Sequence, residues 1–259
     1  MPPASPPDPA RVSRDADAVG DRGRRHGSAT VTPPAVAVSV DLVLLTLRAG
    51  RLCVLLIQRA RRPADWALPG GFVDGDEDLD ASAARRLVDA TGVTGTGHLE
   101  QLRTYGGQRR EPLTCGVSVA YLALLPNLPQ PPPRPARRPD GHWWPVEELA
   151  APGGPILAVD HRRIVIDGVE RARAKLEYTP LAAAFCEDEF TLADLRRVYE
   201  AAWGVGLDAP NFRRKVLSTP GFVVPVGRRT SPRGGGRPAE LYRRGMATAL
   251  HPPLLRRSV

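Results

Sequence analysis

The sequence of 259 residues predicts an α/β domain followed by a C-terminal winged helix-turn-helix. Three observations indicate this fold class. Short β-rich apolar runs are mixed with amphipathic helix patterns over the first two thirds of the chain. Three helix patterns and then two short strands, separated by a Gly/Arg-rich turn, make up most of the last third. The positive charge is concentrated in that last part.

The charge distribution separates the two parts. Residues 205–259 contain eleven basic and two acidic residues, a net charge of +9, whereas the whole chain has +8 and its remainder therefore −1. A near-neutral body with a basic C-terminal part indicates that one domain contacts a polyanion. The alternatives are a solvated basic surface and the high arginine usage of a GC-rich genome.

Cysteine usage and hydropathy predict a cytoplasmic protein, and its basic C-terminal part leads us to expect that it is nucleoid-associated. Cys53, Cys115 and Cys186 lie far apart without CxxC spacing, which is typical of buried thiols in a reducing compartment. No apolar run approaches the ~20 residues of a membrane span, so we expect no membrane partner. Residues 1–33 lack the apolar region of a secretory signal and are predicted to form a disordered tail.

The first domain is predicted over residues 34–158. It begins with two strands, VAVSVDLVLLTLRAGRLCVLLIQR, that are joined by a turn at Ala49-Gly50. Two more strands, HLEQLRTYG and CGVSVAYLALL, precede a Pro-rich exposed loop over 126–140. The segment HWWPVEELA then predicts a strand end and a short helix that begins near Pro145.

Two helices are predicted to pack on this sheet. In LDASAARRLVDATG, the apolar stripe is expected to contain Leu79, Ala83 and Leu87, with Ala84 and Val88 beside them. Asp76 or Asp78 is expected to cap its start, and Gly92 to end it. A linker helix over 159–178 is amphipathic, and its expected apolar positions are Ile164, Ile166, Val169 and Ala172.

The second unit is predicted over residues 179–247, with a tail over 248–259. A short apolar helix, TPLAAAFC, precedes TLADLRRVYEAAWG, where Thr191 and Asp194 form a shortened capping box. The apolar stripe of that helix contains Leu192, Leu195, Val198, Tyr199 and Ala202. A third helix, DAPNFRRKVLS, is capped by Asp208, and a β-hairpin follows it.

The segment GGFVDGDEDLDASAARRLVDATGV, residues 70–93, resembles the Nudix family motif G-x5-E-x7-R-E-U-x-E-E-x-G-U, in which U is aliphatic. Gly71, Glu77, Arg85 and Gly92 lie in register without a gap, and DWALPGGFV resembles the family's lead-in. The resemblance implies a Nudix α/β/α sandwich with a mixed sheet.

The chemistry of the motif is altered. The family has glutamates that hold divalent metal ions at the positions of Arg86, Asp89 and Ala90. Mg²⁺ prefers oxygen ligands, and a guanidinium repels it. We therefore expect a pocket that binds its ligand but hydrolyses it poorly, with no assigned catalytic residue and no required cofactor. Mg²⁺ is expected only with residual hydrolase activity, with Glu77 and Asp89 as weak candidate metal ligands.

The candidate ligand-binding residues surround this segment. Arg86 is expected to contact a phosphate oxygen in place of the metal, and the alternative is a solvated helix residue. Asp89 is as well suited to pairing with Arg85 or Arg86 as to binding metal. Trp66 and Phe72 are candidates for stacking, or plain core residues. The full candidate set is Arg59, Trp66, Gly70, Gly71, Phe72, Glu77, Arg85, Arg86, Asp89 and Arg103.

The third helix of the second unit is the candidate DNA-reading element. Its pattern places Phe212, Val216 and Leu217 on the core side. The outward residues are side-chain types that contact base edges and phosphates. The alternative is a scaffold with a solvated basic face. The candidate DNA contacts, wing included, are Asn211, Arg213, Arg214, Lys215, Arg228, Arg229, Arg233 and Arg237.

From about Val36 to Arg244 the chain resembles the NrtR family of Nudix-related transcriptional regulators. RAKLEYTPLAAAF, FTLADLRRVYEAAWG, NFRRKVL and GRPAELYR carry the resemblance. It implies a homodimeric repressor of NAD-metabolism genes that binds operator DNA and is released by ADP-ribose or a related nucleotide, or a regulator of sugar-utilisation genes. The rival interpretations are an active ADP-ribose-type pyrophosphatase and a constitutive DNA-binding protein.

Overall fold

The computed structural model describes residues 36–59, 62–94, 97–107, 116–126, 128–131, 140–157, 160–230 and 238–256. The expected N-terminal tail, Cys115, most of the Pro-rich loop and the candidate DNA contacts Arg233 and Arg237 lie outside these residues. Within the described ranges, none of the helices combines the length and apolarity that a membrane crossing requires.

An eight-stranded mixed sheet forms the first part of the molecule. The strands are β1 (Ala37–Arg48), β2 (Arg51–Arg59), β3 (Arg62–Ala67), β4 (Gly70–Phe72), β5 (His98–Gly107), β6 (Gly116–Leu124), β7 (Gly141–Pro145) and β8 (Ile156–Leu157). The main path runs β5-β6-β1-β2-β3-β8, with β4 paired to β1 and β7 paired to β2. The β1–β6 and β3–β8 pairs are parallel and the others antiparallel, which confirms the mixed sheet.

The β1–β2 hairpin has the predicted turn. Arg48 pairs with Arg51, and the two turn residues Ala49 and Gly50 have φ angles of 48° and 74°. A two-residue turn with positive φ at both positions matches the right-handed twist of the flanking strands.

Helix α1 (Leu79–Thr91) covers one face of the sheet. Asp78 caps it by accepting hydrogen bonds from two backbone amides, and Gly92 ends it in the left-handed conformation, as predicted. Its core-facing residues include Ala83, Leu87 and Ala90. The expectation that Ala84 and Val88 belong to the apolar stripe is wrong: both are exposed, because each lies about 100° around the helix from a residue that contacts the sheet.

Helix α2 (His161–Tyr178) covers the opposite face of the sheet. Ile164, Val169 and Ala172 are buried as predicted, and Val165 joins them. Ile166 was expected in this apolar set, but it is 55% exposed because it points away from the sheet.

Polar contacts fix α2 against strand β5. The hydroxyl of Tyr105 donates a 2.7 Å hydrogen bond to Asp167. Glu100 accepts hydrogen bonds from Arg171 at 2.9 Å and lies 2.7 Å from the amine of Lys175. The helix is thus tied to the edge of the sheet at residues 167, 171 and 175, in three successive turns.

The winged part contains a 3-10 helix (Pro180–Phe185), α3 (Leu192–Trp203), α4 (Ala209–Ser218), β9 (Val223–Arg229) and β10 (Glu240–Arg244). The capping box of Thr191 and Asp194 is present, and Asp208 caps α4, as predicted. Phe212 and Val216 are buried. Leu217 was expected on the core side, but it is 45% exposed. It lies about 100° around the helix from the buried Val216 and therefore faces outward.

Residues 245–256, called here the C-terminal segment, return from β10 to the end of α2. Leu250 and Leu254 are fully buried in the core of the winged part, whereas the sequence suggested only a tail. Their backbone amides donate to the carbonyls of Tyr178 at 2.8 Å and Glu177 at 2.9 Å. Carbonyls in the last turn of a helix lack partners within the helix, so the C-terminal segment supplies them.

Candidate functional site

Glu77 and Arg85 form a bidentate ion pair between the loop before α1 and the middle of the helix. Arg85 donates from Nε and Nη2 to the two carboxylate oxygens of Glu77 at 2.7 and 2.5 Å. Arg85 also contacts Asp74 at 3.2 Å and Asp89 at 3.9 Å. The hydrogen bonds from Arg85 lower the pKa of Glu77 to about 2, and Glu77 raises the pKa of Arg85. Glu77 is therefore ionised, but both of its oxygens are engaged.

The guanidinium of Arg86 lies against strand β4. It donates a 2.8 Å hydrogen bond to the carbonyl of Phe72. A Cβ atom on Gly71 would lie 2.7 to 3.0 Å from the guanidinium atoms, so the glycine leaves the room that Arg86 occupies. Within the described residues the buried Nε of Arg86 has no hydrogen-bond partner. A positive charge with an unused donor thus sits at this strand.

A divalent cation does not fit the donor set around Arg86. Ala90 is 1% exposed and packs in the core, while the side chain of Asp89 is 45% exposed and faces outward. Glu77 is held by Arg85. The described residues contain no group of three or more His, Cys, Asp or Glu side chains placed to hold a metal ion.

Seven of the ten candidate ligand residues lie on β4, on the loop that follows it and on α1. They are Gly70, Gly71, Phe72, Glu77, Arg85, Arg86 and Asp89. Gly70 is required for the close pairing of β4 with β1, because a Cβ there would lie 2.4 Å from the carbonyl oxygen of Val40. Phe72 is 51% exposed, so its ring is open to a ligand.

The other three candidates lie elsewhere. Trp66 of β3 packs edge-on against Trp144 at 5.4 Å between ring centroids. Arg103 contacts Asp167 of α2 at 3.7 Å, on the sheet face opposite α1. Arg59 lies at the end of β2, paired with a residue of β3.

Two acidic residues near the site were missed by the sequence reasoning. Asp74 belongs to the acidic loop DGDED and contacts Arg85. Asp41 is 7% exposed in the middle of β1, accepts a hydrogen bond from Ser118, and lies beside Gly70. A single acid within the apolar run VSVDLVLL was the signal for Asp41.

Helix α4 presents a basic face outside the core of the winged part. Arg213 and Arg214 are exposed, and Asn211 and Lys215 are half-buried. Arg214 donates to the side chain of Asn211 at 2.6 Å. Behind them, Phe212 packs edge-on against Tyr199, which holds the helix on α3.

The hairpin adds further basic residues. Arg228 of β9 pairs with Glu189, and Arg229 is exposed. Together with α4 they form a basic helix beside a basic strand, the arrangement expected of a recognition helix and its wing. Since residues 231–237 lie outside the described residues, the contribution of Arg233 and Arg237 stays a prediction.

Comparisons with known proteins agree with both parts of the fold. The NUDIX domain model matches residues 36–164, and the model of the NrtR DNA-binding winged helix domain matches residues 182–244. The ADPR responsive transcriptional repressor NtrR of Acinetobacter baylyi is 34% identical over 214 residues, which cover 81% of this chain and 82% of that protein.

Solved structures give the same result. NrtR of Shewanella oneidensis complexed with a 27mer DNA has a TM-score of 0.63 and 32% identity, over 80% of this chain and 93% of that one. A MutT/nudix family protein from Enterococcus faecalis has a TM-score of 0.63 and 27% identity, over 82% and 89% of the two chains. The predicted fold class is confirmed, and the chain belongs to the NrtR family of Nudix-related transcriptional regulators.

Proposed function

We propose that this protein is a repressor that binds operator DNA through its winged helix and is released by ADP-ribose or a related nucleotide, which its Nudix-like pocket binds without hydrolysing. The observation that carries the proposal is Arg86: a guanidinium stands where a hydrolase of this fold needs a carboxylate. The name of the Acinetobacter relative, an ADPR responsive repressor, supports ADP-ribose as the effector.

Arg86 is suited to take the role of a metal ion toward a diphosphate. Its guanidinium is held in place by the Phe72 carbonyl and by the space above Gly71, and its Nε donor is unused by the described residues. Guanidinium groups form strong charge-assisted hydrogen bonds to phosphate oxygens. Effector binding should therefore not require Mg²⁺.

Hydrolysis needs more than charge. In metal-assisted hydrolysis the ion also activates the attacking water, which a guanidinium cannot do because it stays protonated. The ion pair with Arg85 engages Glu77, and Ala90 contributes no ligand. The pocket should thus release its nucleotide intact.

The basic face of α4 supports DNA as the macromolecular partner. Arg214 and Asn211 are side-chain types that read base edges, and Lys215 and Arg229 suit phosphates. Two copies of the chain would present two such helices to a palindromic operator, so we include a homodimer in the proposal. Effector binding would act by favouring a dimer geometry that fits the operator less well.

The test is fluorescence anisotropy with DNA from the upstream region of the gene, at fixed salt concentration, with ADP-ribose added in EDTA or in Mg²⁺. We expect tight DNA binding that ADP-ribose releases equally well in both buffers, with the nucleotide recovered intact. Release and cleavage only in Mg²⁺ would instead indicate a pyrophosphatase, and binding that no nucleotide changes would indicate a constitutive DNA-binding protein.

Two variants connect the result to the site. Arg86→Ala should weaken ADP-ribose binding about 10- to 100-fold, the range for loss of a hydrogen bond to a charged group. Arg171→Ala, which removes an exposed arginine of α2, is the matched control and should leave ADP-ribose affinity unchanged. Equal affinities in the two variants would contradict the role of Arg86. The genes that flank this one would distinguish NAD metabolism from sugar utilisation as the regulated process.

A further inference from the structure

The outward face of α2 carries an apolar residue between two opposite charges. Arg162, Ile166 and Glu170 follow one another at four-residue spacing, so they lie along one line on the helix surface. Ile166 is 55% exposed. An exposed apolar side chain that continues into an apolar groove forms a contiguous patch, and such patches are typical of binding surfaces.

A groove runs beside this line of residues. It has a volume of about 150 Å³ and lies between α2 and the 3-10 helix Val146–Ala150 that follows β7. Val146, Leu149, Leu157 and Val169 give it an apolar lining. Its volume is sufficient for one aliphatic side chain from a partner.

The two charges are available for a partner. Among the described residues Arg162 makes no ion pair and is exposed. Glu170 contacts Arg173 at 2.6 Å and Arg256 at 3.2 Å, but half of its side chain, 51%, remains exposed. A carboxylate has about four lone-pair sites, so Glu170 can accept a further hydrogen bond.

This pattern is complementary to itself. If a second copy of α2 crosses the first in antiparallel orientation at Ile166, position 162 of each helix faces position 170 of the other. Each charge lies four residues from the crossing point, about 6 Å along the axis at 1.5 Å per residue. Arg162 of one copy then meets Glu170 of the second copy, and the same pair forms again through the two-fold axis.

We propose that the face of α2 around Ile166 is the homodimer interface of this protein, with Ile166 at the two-fold axis and two Arg162–Glu170 pairs beside it. The proposal rests on the homodimer included in the proposed function and adds the surface that forms it. In this arrangement the apolar groove beside Ile166 is covered by the second copy.

The interface would also place the winged helices. The last turn of α2 is bound to the winged part through the carbonyls of Glu177 and Tyr178, which accept from the C-terminal segment. A change in the crossing of two α2 helices would therefore change the separation of the two recognition helices, which sets the fit to the operator half-sites.

The experiment measures the dimer dissociation constant of the full chain by sedimentation velocity or mass photometry. Wild type should be a dimer, and Ile166→Glu should raise the dissociation constant at least tenfold. Ala174→Glu is the matched control: position 174 is exposed on the same helix but lies about 12 Å from the crossing point, and its dimer should persist. Thermal melting verifies that each variant is folded.

Charge reversal tests the antiparallel arrangement itself. R162E alone and E170R alone each create two like-charge contacts and should weaken their homodimers. Mixed in equal amounts, the two variants should form a heterodimer more readily than either forms a homodimer. In that heterodimer, the acidic side chain at position 162 of the R162E copy meets the basic side chain at position 170 of the E170R copy. The other contact is the original pair, Arg162 of the E170R copy with Glu170 of the R162E copy, so both contacts join opposite charges.

Three results would overturn the proposal. An I166E dimer as tight as wild type, or a mixture that pairs no better than its components, would mean that the copies meet elsewhere, and the proposed repressor function would stand. A wild-type monomer, free and on the operator, would remove both the interface and the dimer from the proposal. Release of DNA by ADP-ribose is measured separately, so a failure of the proposed interface can be distinguished from a failure of the proposed repressor function.

Discussion

Leu254 provides the sharpest test of how the C-terminal segment is integrated into the winged part. Its side chain is fully buried, and its backbone amide donates to the carbonyl of Glu177. Leu254→Ala removes three carbons, which at ~0.8 kcal/mol per buried carbon is a loss of about 2.4 kcal/mol. The cavity that remains brings the expected destabilisation to about 3–5 kcal/mol. The backbone hydrogen bond to Glu177 is retained, so the loss reflects packing alone.

The neighbouring residue provides the matched control. Leu255 is 38% exposed, and Leu255→Ala should change the free energy of unfolding by less than about 1 kcal/mol. At roughly 2–4 °C per kcal/mol for a folded chain of about 200 residues, L254A should lower the melting temperature of the protein by roughly 6–20 °C. Both values are obtained from urea unfolding and thermal melts followed by circular dichroism. Equal effects of the two variants would show that the C-terminal segment is not part of this core.

Three further outcomes are expected. Burial opposes ionisation of Glu100, but hydrogen bonds from two cationic side chains of α2 outweigh it and lower its pKa to about 2. Ionised Glu100 should therefore stabilise the folded state by on the order of 1–3 kcal/mol at every pH above ~4.3, the pKa of glutamate in the unfolded chain. This stabilisation is lost as the pH falls toward 2. The melting temperatures of wild type and Glu100→Gln should thus converge in acid. Gly70→Ala should lower the melting temperature because the added Cβ would collide with the backbone of Val40 in β1. Gly71→Ala should mainly weaken ADP-ribose binding, because its Cβ would displace the flexible end of Arg86. Arg229→Ala should weaken binding to all DNA sequences alike and reduce the salt dependence of log K by ~0.9, measured by anisotropy at several salt concentrations.

Local chemistry in the sequence predicted the elements that carry their own start and stop signals. The Ala49-Gly50 turn and the caps Asp78, Thr191 and Asp208 lie where the residue types indicated. These signals act within one turn of chain, so neighbouring residues suffice to find them. The short strands β4 and β8 have three and two residues and depend on pairing with distant strands, so no local pattern reveals them.

Packing of helices against their neighbours was less predictable. Ile166 and Leu217 are apolar, but each is exposed next to a buried valine, because the contact face of each helix is narrower than its apolar stretch. Leu250 and Leu254 lie in a Pro-containing segment without helical or strand periodicity, and their burial depends on packing in the core of the winged part, which no local pattern reveals.

The candidate site was predictable where the residues share one stretch of chain. Gly71, Glu77, Arg85 and Arg86 are brought together by one loop and helix, and their spacing along the motif was enough to group them. Arg103 has the same positive charge as Arg85 and Arg86, but it extends from the other side of the sheet toward Asp167. The orientation of a strand residue depends on register, which single-sequence reasoning does not supply.

Ala90 has an evolutionary consequence. With 1% exposure, its methyl group is surrounded by the core that α1 forms with the sheet. A glutamate placed there without other changes would bring a charged carboxylate into apolar surroundings, at a penalty of several kcal/mol unless it were paired. Natural selection acting on single substitutions would therefore meet a loss of stability before any gain of catalysis. A metal-binding carboxylate at this position would therefore need compensating changes in the surrounding core, so a single substitution at Ala90 is a poor route to a metal site in this domain.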